Sequence, residues 1–154
     1  MAAQIPEQIA GLLIPMVGRP IVLPNVTVAE IVSWRKPFQG DVGAPAWLLG
    51  RLEWRGLQIP LISLELMGNA DLDDALEGKR IAVVNSMGKS QWPFYALAIQ
   101  GIPRLVRVYP EEITQEEHLP ERLPMVWQIA VNGERMMVPD LDYVETQLNQ
   151  FVAA

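Results

Sequence analysis

The stretch "APAWLLGRLEWRGLQIPLISLELMG", Ala44 to Gly68, decides the fold. Its halves, "WLLGRLEWRG" and "LQIPLISLEL", are apolar runs of strand length, with Gly56 at or near the turn between them. Glu53, Trp54 and Arg55 stand in the middle of this apolar sequence. A charged pair in such a place is catalytic machinery, a structural clasp, or part of a surface that another protein reads. Which of the three it is decides what the protein does.

The same texture extends on both sides. "GLLIPMVGRPIVLP" reads as two short strands around a Gly18-Arg19-Pro20 turn, apolar enough for burial on both faces. "NVTVAEIVSW" is rich in β-branched residues, with a helical turn near Asn25. "DLDDALEGKR" interrupts as a polar connector, after which "RIAVVNS" and "WPFYALAIQGIPRLVRV" resume the strand pattern. In "VWQIAVNGERMMV", Asn132-Gly133 tolerates the positive φ angles of a type I′ turn, which predicts a two-residue hairpin. Only the tail is helical in pattern. In "DLDYVETQLNQF", Leu141, Val144, Leu148 and Phe151 recur at spacings of three and four, giving one apolar stripe that reads as core packing. Asp142 followed by Glu145 has the spacing of a capping box, with Asp140 as a competing N-cap. Thirteen prolines and eleven glycines fit many short strands with turns, as in a barrel.

Composition bounds the function. A chain of 154 residues is one domain, or two small lobes sharing a core. Half of it is hydrophobic and 19% charged, so disorder is not its main theme. A net charge of −6 offers no attraction to nucleic-acid phosphates or anionic lipid. The absence of cysteine removes disulfides, thiolate nucleophiles and most zinc sites, and fits a reducing compartment. Glu7 and the lack of an early basic cluster argue against a secretory signal. The uncharged stretch from Gln8 to Gly18 is far shorter than the roughly 20 residues of a spanning helix and is interrupted by Pro15. The expectation is a soluble cytoplasmic protein without direct membrane insertion, with residues 1–9 a flexible N-terminus.

Motifs that promise chemistry mostly dissolve. "NSMGKS" ends like a phosphate loop, but the glycine required five residues before Gly88 is Val83, and "QWPFYALAI" reads as a strand rather than a helix. A turn between strands is the better reading. "DLDDALE" lacks the glycine and later glutamate of a calcium loop, so Asp71 or Asp73 starts a solvated turn rather than a metal site. His118, the single histidine, sits in the charged, proline-flanked "TQEEHLPERLP", with no serine motif to serve. Five tryptophans offer stacking surface for single-stranded nucleic acid, but no basic groove accompanies them. What remains is recognition through strand edges and apolar patches.

The residues resemble the CheW-like family, the coupling adaptors of bacterial chemosensory arrays. Six pieces match in order from about Leu12 to Leu148: "LLIPMVGRPIVLP", "VAEIV", "APAWLLGRLEWRGLQIPLISL", "RIAVV", "YALAIQGIPRLVRVYPEEI" and "NGERMMVPDLDYVETQL". The third is similar to the family's Pro-x-x-x-x-Gly-x-x-Asn-x-Arg-Gly run leading into Pro-x-x-Asp-Leu. The resemblance implies a mainly β fold: two small five-stranded SH3-like β-barrel subdomains packed on a shared core, with a C-terminal α-helix. Residues 10–151 would form one such domain, the first barrel mostly 10–70, the second mostly 79–138, the helix about 141–151, with terminal segments exchanged between barrels. It implies no enzymatic activity and no cofactor. The implied partners are the cytoplasmic tip of a methyl-accepting chemoreceptor and the regulatory domain of a CheA-type histidine kinase, with no nucleic acid.

For the opening question, the resemblance matches Arg55 to the family's Arg-Gly arginine and Glu30 to the glutamate of Val-x-Glu-Ile, partners across neighbouring strands near the receptor-facing groove. A clasp and a docking role both remain open for them. If buried, the pair would cost a few kcal/mol to break. Gly50 and Gly56 match family glycines, for close backbone approach or positive φ. Val28 and Ile102 match apolar positions on or beside the groove, with core packing equally available to both. Trp54 stands at the family's leucine and joins the expected protein-binding set. Glu53 replaces an asparagine, Ser63 an aspartate and Gln100 another aspartate. These departures point to a divergent paralogue, and "LPNVTVAE" and "LLGRLEWRG" resemble the branch serving type IV pilus systems. Two other classes make distinct demands. An oligonucleotide- or sugar-binding barrel would line Trp34, Trp54 and Trp92 along one open groove, and a small hydrolase would hold His118 against a carboxylate.

Overall fold

The computed structural model describes residues 9–38, 43–68, 78–88, 90–118, 124–131 and 133–151. Eleven strands run through them: β1 (Ile9–Ile14), β2 (Ile21–Pro24), β3 (Val28–Ser33), β4 (Leu48–Trp54), β5 (Leu57–Ile62), β6 (Arg80–Asn85), β7 (Phe94–Ile99), β8 (Arg104–Val108), β9 (Ile113–His118), β10 (Met125–Val131) and β11 (Glu134–Pro139). A single turn of helix, α1 (Leu64–Met67), follows β5, and α2 (Leu141–Phe151) closes the described chain. The expected mainly β fold with a C-terminal helix is present.

The strands form two sheets. The central one has the order β3-β6-β7-β5-β4, and the terminal one β8-β1-β2-β11-β10-β9, one strand more than expected. The boundary also differs from the expected split near residues 70–79. Residues 28–99 supply the whole central sheet, and the two ends of the chain build the other. The reason lies in β6 and β7, which are apolar on both faces. Ile81, Val83, Ala96 and Ala98 point into an inner core with Leu52, Trp54, Ile59 and Leu61. Ala82, Val84, Tyr95, Leu97 and Ile99 point the other way, into a larger core shared with Ile14, Ile21, Leu23 and the α2 side chains Leu141, Val144 and Leu148. Only a wall between two cores suits strands with that pattern.

Both sheets curl. Edge strand β8 reaches the opposite edge, β9, in five residue steps from Val108 to Ile113. That is at most about 18 Å of chain, whereas a flat six-stranded sheet is roughly 24 Å wide at about 4.8 Å per strand. In the central sheet the closure is directly bonded. Phe38, just beyond edge strand β3, pairs with Arg51 on edge strand β4 through N–H to C=O bonds of 2.9 and 2.8 Å. Gly50 makes this seam possible. Its φ is +147°, and a Cβ there would lie 2.4 Å from the Phe38 carbonyl oxygen and 2.8 Å from Pro37 Cβ. Close approach and a positive φ, the two reasons the resemblance left open, are both present at Gly50.

Other local expectations fare variously. The helical turn at Asn25–Thr27 is present. Val131 pairs with Glu134 and Gly133 has φ +83°, a two-residue hairpin, while Asn132 lies outside the described residues. Asp140 is the N-cap of α2, accepting from Tyr143 N–H at 3.2 Å, so the Asp142–Glu145 capping box does not form. "TQEEH" is not a loop: it is edge strand β9, and an edge strand does not require apolar alternation. "NSMGKS" begins the eight-residue connection from β6 to β7, with Lys89 outside the described residues.

Candidate functional site

Arg55 and Gly56 are the two-residue tip of the β4–β5 hairpin, flanked by the Trp54–Leu57 pair. Their φ angles are +48° and +78°, the type I′ geometry that matches strand twist. Arg55 is the one described non-glycine residue with positive φ. Its guanidinium Nη2 donates to Glu30 Oε1 at 2.6 Å, and its Cζ lies 4.9 Å from the centre of the Trp54 ring, a cation–π contact. Trp54 in turn packs on Phe94, ring centres 4.8 Å apart.

Glu30 belongs to β3 and Arg55 to the hairpin of β4, the two edges of the central sheet, so this ion pair spans the seam. Two further links cross the same seam: the Phe38–Arg51 bridge, and Arg35 Nη2 donating to the Glu53 carbonyl at 2.8 Å. The seam explains why position 53 tolerates glutamate, since its backbone oxygen makes the contact and its side chain is exposed.

The pair is not buried. Arg55 and Glu30 side chains are 68% and 36% exposed, which removes the condition for a cost of a few kcal/mol. Trp54 is buried in the inner core with its indole N–H unpartnered, and it packs beneath the Arg55 guanidinium. Half-buried Val28, at the start of β3 opposite Val84, packs against the shared core. Ile102 is elsewhere. Phe94, which touches Trp54, starts β7, and Ile99 ends it about 17 Å further on. Ile102 lies three residues beyond, 69% exposed, in a groove of about 280 Å³ with Leu13, Met16 and Pro20 beneath the Arg104–Glu134 ion pair. Glu30, Trp54, Arg55 and Gly56 thus form one cluster, Gly50 and Val28 frame its strands, and Ile102 belongs to a second surface.

Sequence reasoning missed a buried polar node. Glu145 is fully buried on α2, and its carboxylate accepts from Ser86 Oγ at 2.7 Å and Met87 N–H at 3.0 Å. The signal was available: Glu145 is four residues after Leu141 and three before Leu148, on the apolar stripe itself. Nearby, burial pushes the Tyr95 hydroxyl far above its ordinary range, and the charges of Glu145 and Asp142 add to the shift. Phe151, assigned to the stripe, is instead half exposed, its ring edge-on to Trp47. Ser63 caps α1 by accepting from Leu66 N–H at 3.2 Å. Serine and aspartate are equivalent N-caps, so this departure from the family pattern keeps its chemistry.

Trp54 and Trp92 are buried in different cores and Trp34 is half-buried, so these three do not line one open groove. The acidic run "DLDDALE" lies outside the described residues. Among the described residues there is no cluster of three metal-ligating side chains, and no helix is long and apolar enough to cross a membrane.

Comparison with known proteins places this geometry. A family model for the CheW-like domain matches residues 10–146. The scaffolding protein TtCheW from Thermoanaerobacter tengcongensis has a similar fold, with a TM-score of 0.71 over 92% of this chain and 90% of that one, at 14% identity. No curated protein sequence matches the chain.

Proposed function

The chain belongs to the CheW-like domain family, and from that premise we propose that it is a cytoplasmic, non-enzymatic adaptor of a chemosensory pathway. It couples the cytoplasmic tip of a chemoreceptor to the regulatory domain of a CheA-type histidine kinase. The likeness of "LPNVTVAE" and "LLGRLEWRG" to the pilus-linked branch favours a pathway controlling type IV pili.

One observation carries the assignment of the docking face: Arg55 is held in a strained conformation for an exposed bond. A non-glycine residue in the left-handed region costs about 1–2 kcal/mol, and an exposed ion pair returns only about 0–1 kcal/mol. As a clasp, the arrangement gains nothing that asparagine or glycine at the turn would not supply better. As a recognition feature it makes sense. The guanidinium is fixed over Trp54, oriented by Glu30, and flanked by Leu57, which is 42% exposed. A preorganised charge beside an apolar side chain is the composition of an interface centre.

Arg55→Asn separates the two roles, because asparagine favours the left-handed turn. The variant is expected to match or exceed the wild type in thermal stability. Its binding to the regulatory domain of the CheA-type kinase from the same cell, measured by calorimetry, should weaken about tenfold or more. Unchanged affinity for the kinase domain would take Arg55 out of that interface and assign it to the receptor face or to a clasp. No binding by the wild type to any such kinase would end the coupling reading.

A further inference from the structure

The Tyr95 hydroxyl is accounted for neither by the packing of the cores nor by the adaptor face. Tyr95 is fully buried on β7, and its Oη has no hydrogen-bond partner in the protein. Native folds rarely leave such a group unsatisfied, because burial has cost it its bonds to bulk water. The strands fix its direction. Tyr95 lies opposite Val84 in the β6–β7 register, and both side chains enter the shared core with Val144 and Leu148 of α2. Ser86, two residues beyond Val84, reaches the same helix and donates to Glu145. Beyond the effect of burial, the charges of Glu145 and then Asp142 act on the hydroxyl, so its tip lies beside the first turns of α2.

Glu145 is nevertheless beyond direct hydrogen-bond reach of Tyr95 Oη, since the hydroxyl would otherwise be partnered. A carboxylate has room for about four hydrogen bonds, so the donors Ser86 Oγ and Met87 N–H do not exhaust it. The two groups are both fully buried, close enough to act on each other and too far apart to bond. That is the situation in which folded proteins hold an internal water. We propose that one water molecule sits between Tyr95 and Glu145, accepting from the Tyr95 hydroxyl and donating to the Glu145 carboxylate. The water ties α2 to both strands of the wall between the cores. Ser86, at the end of β6, makes one link to Glu145, and Tyr95 on β7 makes the other through the water. The site is separate from the Arg55 face and does not depend on the adaptor reading.

A crystal structure of the full chain, at a resolution that shows ordered water, tests this directly. Density for one water is expected within about 2.5–3.0 Å of both Tyr95 Oη and a Glu145 carboxylate oxygen. Thermal melts of Tyr95→Phe, with circular dichroism to check the fold, give a second reading in solution. The variant loses only the hydroxyl, and its melting temperature should fall by about 2–4 °C, the loss of one bonded buried group. A hydroxyl bonded directly to a protein atom in the crystal would overturn the proposal, because the water would have no place between the partners. So would a hydroxyl with no density beside it, or a water shared with Asp142 instead of Glu145. A Tyr95→Phe variant that melts at or above the wild type would overturn it too, since a truly unpartnered hydroxyl is the one group whose removal costs nothing.

Discussion

Glu30 and Glu145 are both carboxylates held by short hydrogen bonds, and they do opposite work. Glu30 lies on the rim of the central barrel, 36% exposed, facing a guanidinium that is itself 68% exposed. Glu145 is fully buried between α2 and the β6–β7 connection, and accepts from a hydroxyl and a backbone N–H. Water can replace Arg55 as the partner of Glu30. Removing Glu145 takes a fully buried side chain from α2 together with the acceptor shared by Ser86 and Met87. The residue that draws the eye in the sequence is thus the weaker structural element, and the inconspicuous one fastens the C-terminal helix.

The largest expected effect lies in the seam on which Glu30 sits, but in its backbone rather than its charges. Gly50→Ala would press a methyl group against the Phe38 carbonyl, at a φ that alanine avoids. Overpacking and backbone strain together should cost about 3–4 kcal/mol. At about 2–4 °C per kcal/mol for a chain of this size, the melting temperature should fall by roughly 6–16 °C. A variant that melts within a degree or two of the wild type would show that the barrel does not depend on this closure.

Next comes the carboxylate pair itself. Glu145→Ala removes a fully buried, hydrogen-bonded side chain and should lose about 2–3 kcal/mol, whereas Glu30→Ala should lose at most about 1 kcal/mol. Denaturant melts of both variants read the contrast directly. If the two lose equal stability, burial is not what separates them. Hydrogen exchange sharpens the point: Glu145→Ala should speed exchange throughout α2, and Glu30→Ala should leave α2 protected.

How much of this was legible in the sequence follows the same division. Strands with a clear period or a turn signal were readable, as were the Gly133 hairpin and the α2 stripe, while the glycine at position 50 came from family resemblance. The pairing of Glu30 with Arg55 came from family resemblance, and its exposure did not, because whether a hairpin tip meets water depends on how the barrel closes. The division of strands between sheets was misread for a related reason. Contiguity favours neighbours in sequence, while the two-sided apolar pattern of β6 and β7 demands a position between cores, and the second constraint wins. β9 escaped because an edge strand need not alternate. Glu145 escaped because a charge on an apolar stripe reads as a cap until its partners, some 58 residues away, are known.

Glu65 stands between the two extremes and gives the finest test of the idea that burial sets a carboxylate's role. It is half-buried on α1 and accepts from Val17 N–H at 2.9 Å. Burial raises its carboxyl above the ordinary 4.5, and the N–H groups of Val17 and Glu65 with the Ser63 hydroxyl only partly offset that. A folded value above the unfolded one means that the folded state holds the proton more tightly. Ionised Glu65 therefore opposes folding above its raised value, and this penalty is relieved as pH falls through that value toward 4.5. Glu65→Gln keeps an oxygen for Val17 and cannot ionise. Its melting temperature should equal or slightly exceed that of the wild type at neutral pH, and the difference should shrink as pH approaches 4.5. A variant less stable at neutral pH, with a gap that closes on acidification, would mean that the charged bond to Val17 outweighs desolvation, and Glu65 would then belong with Glu145 rather than between the two.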